Sequence, residues 1–118
     1  MLAAEHPASF VTDAEVLQEL LHRYLALRLW AQGRAVLTEF ALLMRDRVEP
    51  VYADDVGDAA SLAGRYSGLS ARDLLHVAVM RRLGVSRIAT ADRAFDRIQE
   101  LQRLDPAGVE TWRANIVP

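Results

Sequence analysis

The 118-residue chain has no cysteine, which excludes a disulfide scaffold, a thiolate metal site and a cysteine nucleophile. It also has no long apolar run. The longest stretches free of Asp, Glu and Arg, such as Leu74–Met80, have seven residues, whereas a membrane-spanning helix needs about 20. The N-terminus has no basic stretch followed by an apolar segment, so no signal peptide is predicted. We therefore expect a cytoplasmic protein without a membrane partner.

The chain also has no lysine, and all 14 of its basic residues are arginine, a bias that a GC-rich coding sequence explains. The formal net charge of −2 argues against a surface built to cover duplex DNA. Six arginines and three acids lie between residues 81 and 103, which leaves a local positive excess in the C-terminal third. Five acids and one arginine lie between residues 46 and 58, which is typical of a solvated face.

The order of apolar segments predicts an α/β fold. Short strand candidates occupy about residues 10–12, 48–53 and 86–91, and helical periodicity occupies about 13–25, 34–47, 54–66, 71–83 and 93–101. Strands that alternate with helices favour a parallel sheet flanked by helices. We expect a single domain with a core at about 10–105 and a C-terminal tail, in loop, at 106–118.

Local signals predict where individual helices begin and end. Thr12, followed three residues later by a glutamate, predicts a capping box with Thr12 as the N-cap, and Ser70 with Asp73 predicts a second one. Gly84 predicts the end of the helix that Ser70 opens. Gly33 predicts a chain reversal between the first two helices.

Four acids lie near the predicted ends of strands or starts of helices. Glu19 follows the first strand by one to two helical turns, Asp73 lies in the first turn of its helix, and Asp92 and Asp96 follow the strand at 86–91. Ligands of parallel sheets bind beyond the carboxyl ends of the strands. Converging carboxylates need a cation, and Mg²⁺ or Mn²⁺ prefers such oxygen ligands. A site of this kind activates water to hydrolyse a phosphodiester.

Each acid also has a purely structural explanation. Asp73 completes a capping box and favours the positive end of its helix. Glu19 fits a solvent-facing helical stripe that it shares with Glu15, Asp92 fits a helix cap, and Asp96 fits a pair with neighbouring arginines. The residues by themselves leave both explanations open.

A third interpretation involves two histidines. Glu19 with His22, and Asp73 with His76, both have the acid-x-x-His spacing that places two ligands on one helical face. Di-iron bundles use this pair twice, on long helices. The predicted helices are short and separated by strand-like runs, so the di-iron helical protein is the weaker alternative, and an ordinary helix-face histidine is the simpler explanation.

Residues 69–98, LSARDLLHVAVMRRLGVSRIATADRAFDRI, resemble the C-terminal signature of the PIN domain family. In that signature an acid opens a helix, and a later strand ends in a threonine and an acid that precede a phenylalanine. Residues 11–24, VTDAEVLQELLHRY, resemble the segment of the same family that carries a glutamate. The resemblance covers about residues 10–105 and is closest in style to VapC-like toxins of toxin–antitoxin modules. It implies a PIN-like, Rossmann-like fold.

The resemblance also implies roles for particular residues. Glu19, Asp73 and Asp92 match the second, third and fourth acids of a catalytic site that holds Mg²⁺ or Mn²⁺. Thr90 matches the threonine that supports the last acid. Asp96 is a further candidate metal ligand, although an alanine stands before Phe95 where many relatives have an acid.

One family element is missing from the sequence. An apolar strand that ends in the first metal-binding aspartate is expected before Val11, and none is present. In the family this strand is central to the sheet, so we expect a chain truncated at its N-terminus. A degenerate member, or a partner chain that supplies the sheet edge, are the alternatives.

The function implied by the resemblance is metal-dependent endoribonuclease activity of the toxin type. The implied partners are single-stranded or structured RNA, a cognate antitoxin protein and a second copy of the chain in a homo-oligomer. The alternative is a catalytically inactive or weakened PIN-like interaction module.

Overall fold

A computed structural model describes residues 2–116, and these residues divide into two compact units with the boundary between Val51 and Tyr52. Each unit contains helices and one pair of parallel strands, so the predicted α/β class is confirmed. Within the described range the four strands form two separate parallel pairs instead of one continuous sheet. No helix in residues 2–116 has the length and apolar character needed to cross a bilayer.

The first unit is a helical hairpin between two short strands. The elements in chain order are α1 (Leu2–Glu5), a 3-10 turn (Pro7–Ser9), β1 (Thr12–Asp13), α2 (Ala14–Ala26), α3 (Trp30–Leu43) and β2 (Val48–Glu49). β1 and β2 pair in parallel, with Thr12 opposite Val48.

The predicted N-cap at Thr12 is wrong by one residue. Thr12 belongs to β1, and its N–H donates to the carbonyl of Arg47 at 3.0 Å. Asp13 has the extended backbone of an N-cap, and its Oδ1 accepts the N–H of Val16 at 3.0 Å. Because the strand pairing already uses Thr12, the following aspartate satisfies the exposed N–H groups of α2.

The predicted reversal at Gly33 is also wrong. Gly33 is buried inside α3, and the chain reverses earlier, where Arg28 has a positive φ of 55°. A Cβ at position 33 would collide with the side chain of Tyr24 on α2. The glycine therefore allows the two helices to approach closely, and this tertiary contact outweighs its low helix propensity.

The second unit packs two helices against a strand pair. The elements in chain order are α4 (Ala53–Ala63), α5 (Ala71–Leu83), β3 (Arg87–Ala89), a 3-10 helix (Arg93–Arg97), β4 (Gln102–Leu104), a 3-10 turn (Pro106–Gly108) and α6 (Val109–Ile116). β3 and β4 are parallel, with Ile88 opposite Arg103.

Several predicted boundaries in this unit hold and others do not. The helix α5 is confirmed at both ends, since Ser70 caps its start and Gly84, at φ 70°, closes it. The helix predicted over 54–66 is α4, which begins at Ala53 with Tyr52 as its N-cap and ends at Ala63. The helix predicted over 93–101 is a 3-10 helix that ends at Arg97.

The prediction of a loop and tail at 106–118 is wrong for the described residues, because α6 lies there. The strand before it, β4, is also not predicted by the sequence pattern, because its three residues include only one apolar side chain, Leu104. α6 follows it, and the indole Nε1–H of Trp112 donates to the carbonyl of Asp105 at 3.0 Å. This hydrogen bond fixes the C-terminal helix to the turn that precedes it.

The core of the second unit lies between α4, α5 and the segment after β3. α4 buries one face, with Ala59 and Leu62 three residues apart, whereas α5 is buried on all sides over His76–Met80. The buried cluster consists of Ala59, Leu62, Leu74, Val77, Ala78, Phe95 and Ile98.

A buried ion pair joins α4 to α5. Asp55 is 1% exposed, and its two oxygens accept hydrogen bonds from Nε of Arg82 at 3.0 Å and from Nη2 at 3.2 Å. Its Oδ2 also accepts the N–H of Tyr52 at 2.8 Å, and the Tyr52 ring lies 4.7 Å below the guanidinium. The hydrogen bond from Arg82 is the main reason that the pKa of Asp55 is lowered.

We predict that Asp55→Asn lowers the free energy of unfolding by about 3 kcal/mol at pH 7, because it removes the buried carboxylate charge that faces the Arg82 guanidinium. A carboxylate with a lowered pKa stabilises the fold above its unfolded-state pKa, and this contribution is lost as pH falls through its folded-state pKa. The difference between wild type and variant should therefore shrink below about pH 4. Urea unfolding across this pH range measures both effects.

The control for this prediction is Glu100→Gln, which breaks the exposed ion pair between Arg81 and Glu100 (3.4 Å). It should change stability by less than about 1 kcal/mol. A variant Asp55→Asn as stable as wild type at pH 7, or a difference that persists unchanged at low pH, would contradict the assignment.

A tight turn connects α4 to α5. Gly68 has a φ of 81°, and a Cβ at this position would collide with the guanidinium of Arg97. Arg97 donates from Nη1 to the carbonyl of Ser67 at 2.8 Å. The turn that precedes α5 is thus held by an arginine from the 3-10 helix 93–97.

We predict that Gly68→Ala lowers stability by about 1–3 kcal/mol, through backbone strain and displacement of Arg97. The matched control is Gly57→Ala on the exposed face of α4, where a Cβ meets no atom within 4 Å. This substitution should raise stability by about 0.5–1 kcal/mol. Thermal unfolding measures both variants, and a shift of the same sign in the two would contradict the described turn.

Candidate functional site

Asp73 lies in the first turn of α5, where it completes the capping box. Its Oδ2 accepts the N–H of Ser70 at 3.2 Å, and its own N–H donates to the Oγ of Ser70 at 3.2 Å. Asp73 is half-buried. The capping role expected from the sequence is therefore present, and it fixes the place of the carboxylate at the positive end of the helix.

Asp92 lies between β3 and the 3-10 helix 93–97 and is exposed. Its N–H donates to Oγ1 of Thr90 at 3.1 Å, and its Oδ1 accepts the N–H of Ala94 at 2.9 Å. Thr90 in turn donates its N–H to the carbonyl of Leu104 on β4 at 3.2 Å. The carboxylate is therefore connected through Thr90 to the strand pair.

Asp96 is engaged by an arginine. Its Oδ1 accepts a hydrogen bond from Nε of Arg103 at 2.9 Å. Nη1 of the same guanidinium donates to the carbonyl of Thr90 at 3.2 Å and lies 3.5 Å from Oδ2 of Asp105. Asp96 is therefore paired with an arginine, as its structural explanation requires, but the partner is Arg103 on β4 instead of an arginine beside it in the sequence.

The charges around Arg103 shift the pKa values of two groups. The hydrogen bond to Asp96 is the largest reason that the pKa of Arg103 is raised. The pKa of Asp105 is lowered, first by the N–H of Ala107 and further by Arg103. Both shifts favour the charged forms of Arg103 and Asp105.

Glu19 is the sixth residue of α2, in the first unit, and is half-buried. The other candidate acids all belong to the second unit. Over residues 2–116, no three His, Asp or Glu side chains lie close enough together to hold a metal ion. Asp73 and Asp92 of the second unit are carboxylates, the type of ligand that a hard divalent cation prefers.

The di-iron interpretation does not fit the fold. The described helices have 14 residues or fewer and are interrupted by two parallel strand pairs, so they do not form the bundle of long helices that such a centre needs. His76 is 8% exposed and sits in α5 among buried apolar residues. The simpler explanation, a helix-face histidine with a structural role, agrees with this position.

Arg103 is the residue of this region that the sequence analysis did not single out. It counts there only as one of six arginines in an arginine-rich stretch. The acids Asp96 and Asp105 that flank it are a weak signal of its role, since pairing across a turn cannot be derived from spacing alone.

Comparison with known proteins gives a consistent result. The family model of the PIN domain matches residues 2–101, a range that contains every candidate site residue. The chain is 42% identical over 96 residues to a VapC ribonuclease of Mycobacterium bovis and to Ribonuclease VapC13 of Mycobacterium tuberculosis, which covers 80% of this chain and 71% of each relative. It is 46% identical over 94 residues to Ribonuclease VapC23 of M. tuberculosis, which covers 77% of this chain and 71% of that relative. No solved structure gives a significant match.

Proposed function

We infer a function from one premise: the chain belongs to the PIN domain family. We propose that it is a toxin-type endoribonuclease that hydrolyses phosphodiester bonds of single-stranded or structured RNA with Mg²⁺ or Mn²⁺. The observation that carries this proposal is the identity of 42–46% to proteins named as ribonucleases, over about four fifths of the chain.

The metal would be held by Glu19, Asp73 and Asp92, with Asp96 contributing through a water molecule. Two observations support the two aspartates of the second unit. Each lies at a helix start, where one carboxylate oxygen accepts a backbone N–H, and this leaves the second oxygen of each group for a cation. A hard ion with several water ligands tolerates such a mixed set of protein and water oxygens.

A bound ion would act as a Lewis acid, which would lower the pKa of an attacking water and stabilise negative charge on the leaving oxygen. The residues of the chain have separate tasks. Asp73 and Asp92 present negative charge from fixed backbone positions, which orients the site before substrate binds. Oγ1 of Thr90 accepts the N–H of Asp92, and this hydrogen bond restrains the loop that carries the carboxylate.

The proposed partners follow from the relatives. A toxin of this type is controlled by a cognate antitoxin protein, and we propose that this chain binds one and forms a homo-oligomer in the cytoplasm. The first unit offers apolar surface for such contacts, because Leu21 and Leu25 on α2 and Leu42 on α3 are 37%, 52% and 67% exposed.

The same apolar surface favours a second candidate function, that of an interaction module with weak or no catalytic activity. Contiguous apolar patches mark surfaces that bind other proteins, and Leu21 and Leu25 lie one helical turn apart on α2. Calorimetric titration of the purified chain with Mn²⁺ separates the two functions, since the nuclease binds the ion and an inactive module does not.

We predict that the chain cleaves single-stranded RNA with Mn²⁺, and that Asp73→Asn lowers the rate by more than about a hundredfold. Residues that only hydrogen-bond to a metal ligand already contribute about ten- to a hundredfold to metal affinity or activity, so the loss of a ligand itself should lower the rate further. Asn keeps an oxygen that can accept the N–H of Ser70, so the capping box and the melting temperature should change little. Gel-based cleavage with and without EDTA measures the effect.

The matched control is Asp58→Asn, which removes the same charge from an exposed position on α4 and should leave the rate unchanged. Cleavage that persists in EDTA and in Asp73→Asn would contradict the metal mechanism. An equal loss of rate in both variants would assign the effect to net charge instead of to the site.

A further inference from the structure

Arg103 connects three acceptors that belong to three different parts of the second unit. Its Nε contacts Asp96 of the 3-10 helix 93–97 at 2.9 Å, and its Nη1 contacts the carbonyl of Thr90 after β3 at 3.2 Å. The same Nη1 lies 3.5 Å from Oδ2 of Asp105, beyond β4. Its side chain is 14% exposed, so little water competes for these contacts.

Thr90, the central acceptor, uses each of its polar groups. Its N–H donates to Leu104, its carbonyl accepts from Arg103, and its Oγ1 accepts the N–H of Asp92. Asp92 continues the chain of hydrogen bonds through its Oδ1 to the N–H of Ala94. The guanidinium is therefore two hydrogen bonds away from the backbone of Asp92, with only Thr90 between them.

We propose that Arg103 is a positioning residue, which holds the turn from Thr90 to Asp92 so that the Asp92 carboxylate is oriented toward a metal ion. This inference rests on the proposed function, in which Asp92 is a ligand. We call Asp96 the anchor of Arg103, because its hydrogen bond to Nε orients the guanidinium whose Nη1 contacts Thr90.

The geometry requires an arginine. A guanidinium is planar and carries donors in fixed directions, so one side chain can contact a carboxylate and a carbonyl at the same time. Lysine is a point charge on a flexible stem, and it keeps the charge without the fixed directions. Residues that orient a ligand in this way determine metal affinity without touching the metal.

The experiment uses the full chain with Arg103→Met, Arg103→Lys and a control, Arg81→Met. Arg81 belongs to the same arginine-rich stretch and pairs with Glu100 on the surface, away from the turn. Two quantities are measured for each protein: the affinity for Mn²⁺ by calorimetry, and the hydrogen-exchange rates of individual backbone amides by NMR.

For Arg103→Met we expect Mn²⁺ affinity to fall about ten- to a hundredfold, together with faster exchange at the amides of Asp92 and Ala94. The amides of α5 should keep their protection. Arg103→Lys should fall between this variant and wild type, and Arg81→Met should match wild type. Unchanged exchange at Asp92, or a uniform loss of protection that includes α5, would overturn the positioning role.

Asp96→Asn separates the two roles of that acid. As an anchor of Arg103, it should lower Mn²⁺ affinity and also speed exchange at Asp92. Weaker affinity with unchanged exchange would make Asp96 a ligand and overturn its anchoring role. If wild type binds no Mn²⁺, the proposed function fails, and the exchange rates alone then decide whether Arg103 holds the turn.

Discussion

Exposed N–H groups at helix starts are the constraint that organises this chain. The first turn of any helix has N–H groups without partners inside the helix, and here aspartate carboxylates accept them. Asp13, Asp92 and Asp105 each accept an N–H two or three residues further along. Asp55 and Asp73 accept one from three residues before. The places of the carboxylates are therefore set by backbone geometry.

This constraint explains why structural and functional interpretations of the same acids are compatible. A carboxylate has two oxygens, and a cap uses one of them. Asp73 and Asp92 are capping residues and candidate ligands at once, since a helix start fixes the side chain that a metal site must orient.

The arginine-rich stretch, residues 81–103, also has a structural role. Five of its six arginines, at positions 81, 82, 87, 97 and 103, contact carboxylate or carbonyl oxygens of the same chain, so its positive excess mostly stabilises the fold.

Sequence patterns predict the parts of the fold that depend on local chemistry. α5 is predicted at both ends because Ser70, Asp73 and Gly84 act within a few residues of their own backbone. α3 is predicted too late in the chain, at 34–47 instead of Trp30–Leu43, because the position of Gly33 depends on a contact with Tyr24 from another helix. β4 is missed because its pairing with β3 needs no long apolar run. The candidate acids follow from motif and spacing, whereas the contacts of Arg103 depend on how three separate segments meet.

The central claim is that Asp73 and Asp92, whose carboxylates are fixed at helix starts, bind the metal together with Glu19. Mn²⁺ is paramagnetic and broadens NMR signals near its binding site, so a titration at less than one equivalent tests this claim directly. The account predicts that the amide signals of Glu19, Asp73 and Asp92 broaden first and that EDTA restores them. Broadening that begins instead at the exposed acids of α4, Asp54 and Asp58, or that is uniform along the chain, would contradict it.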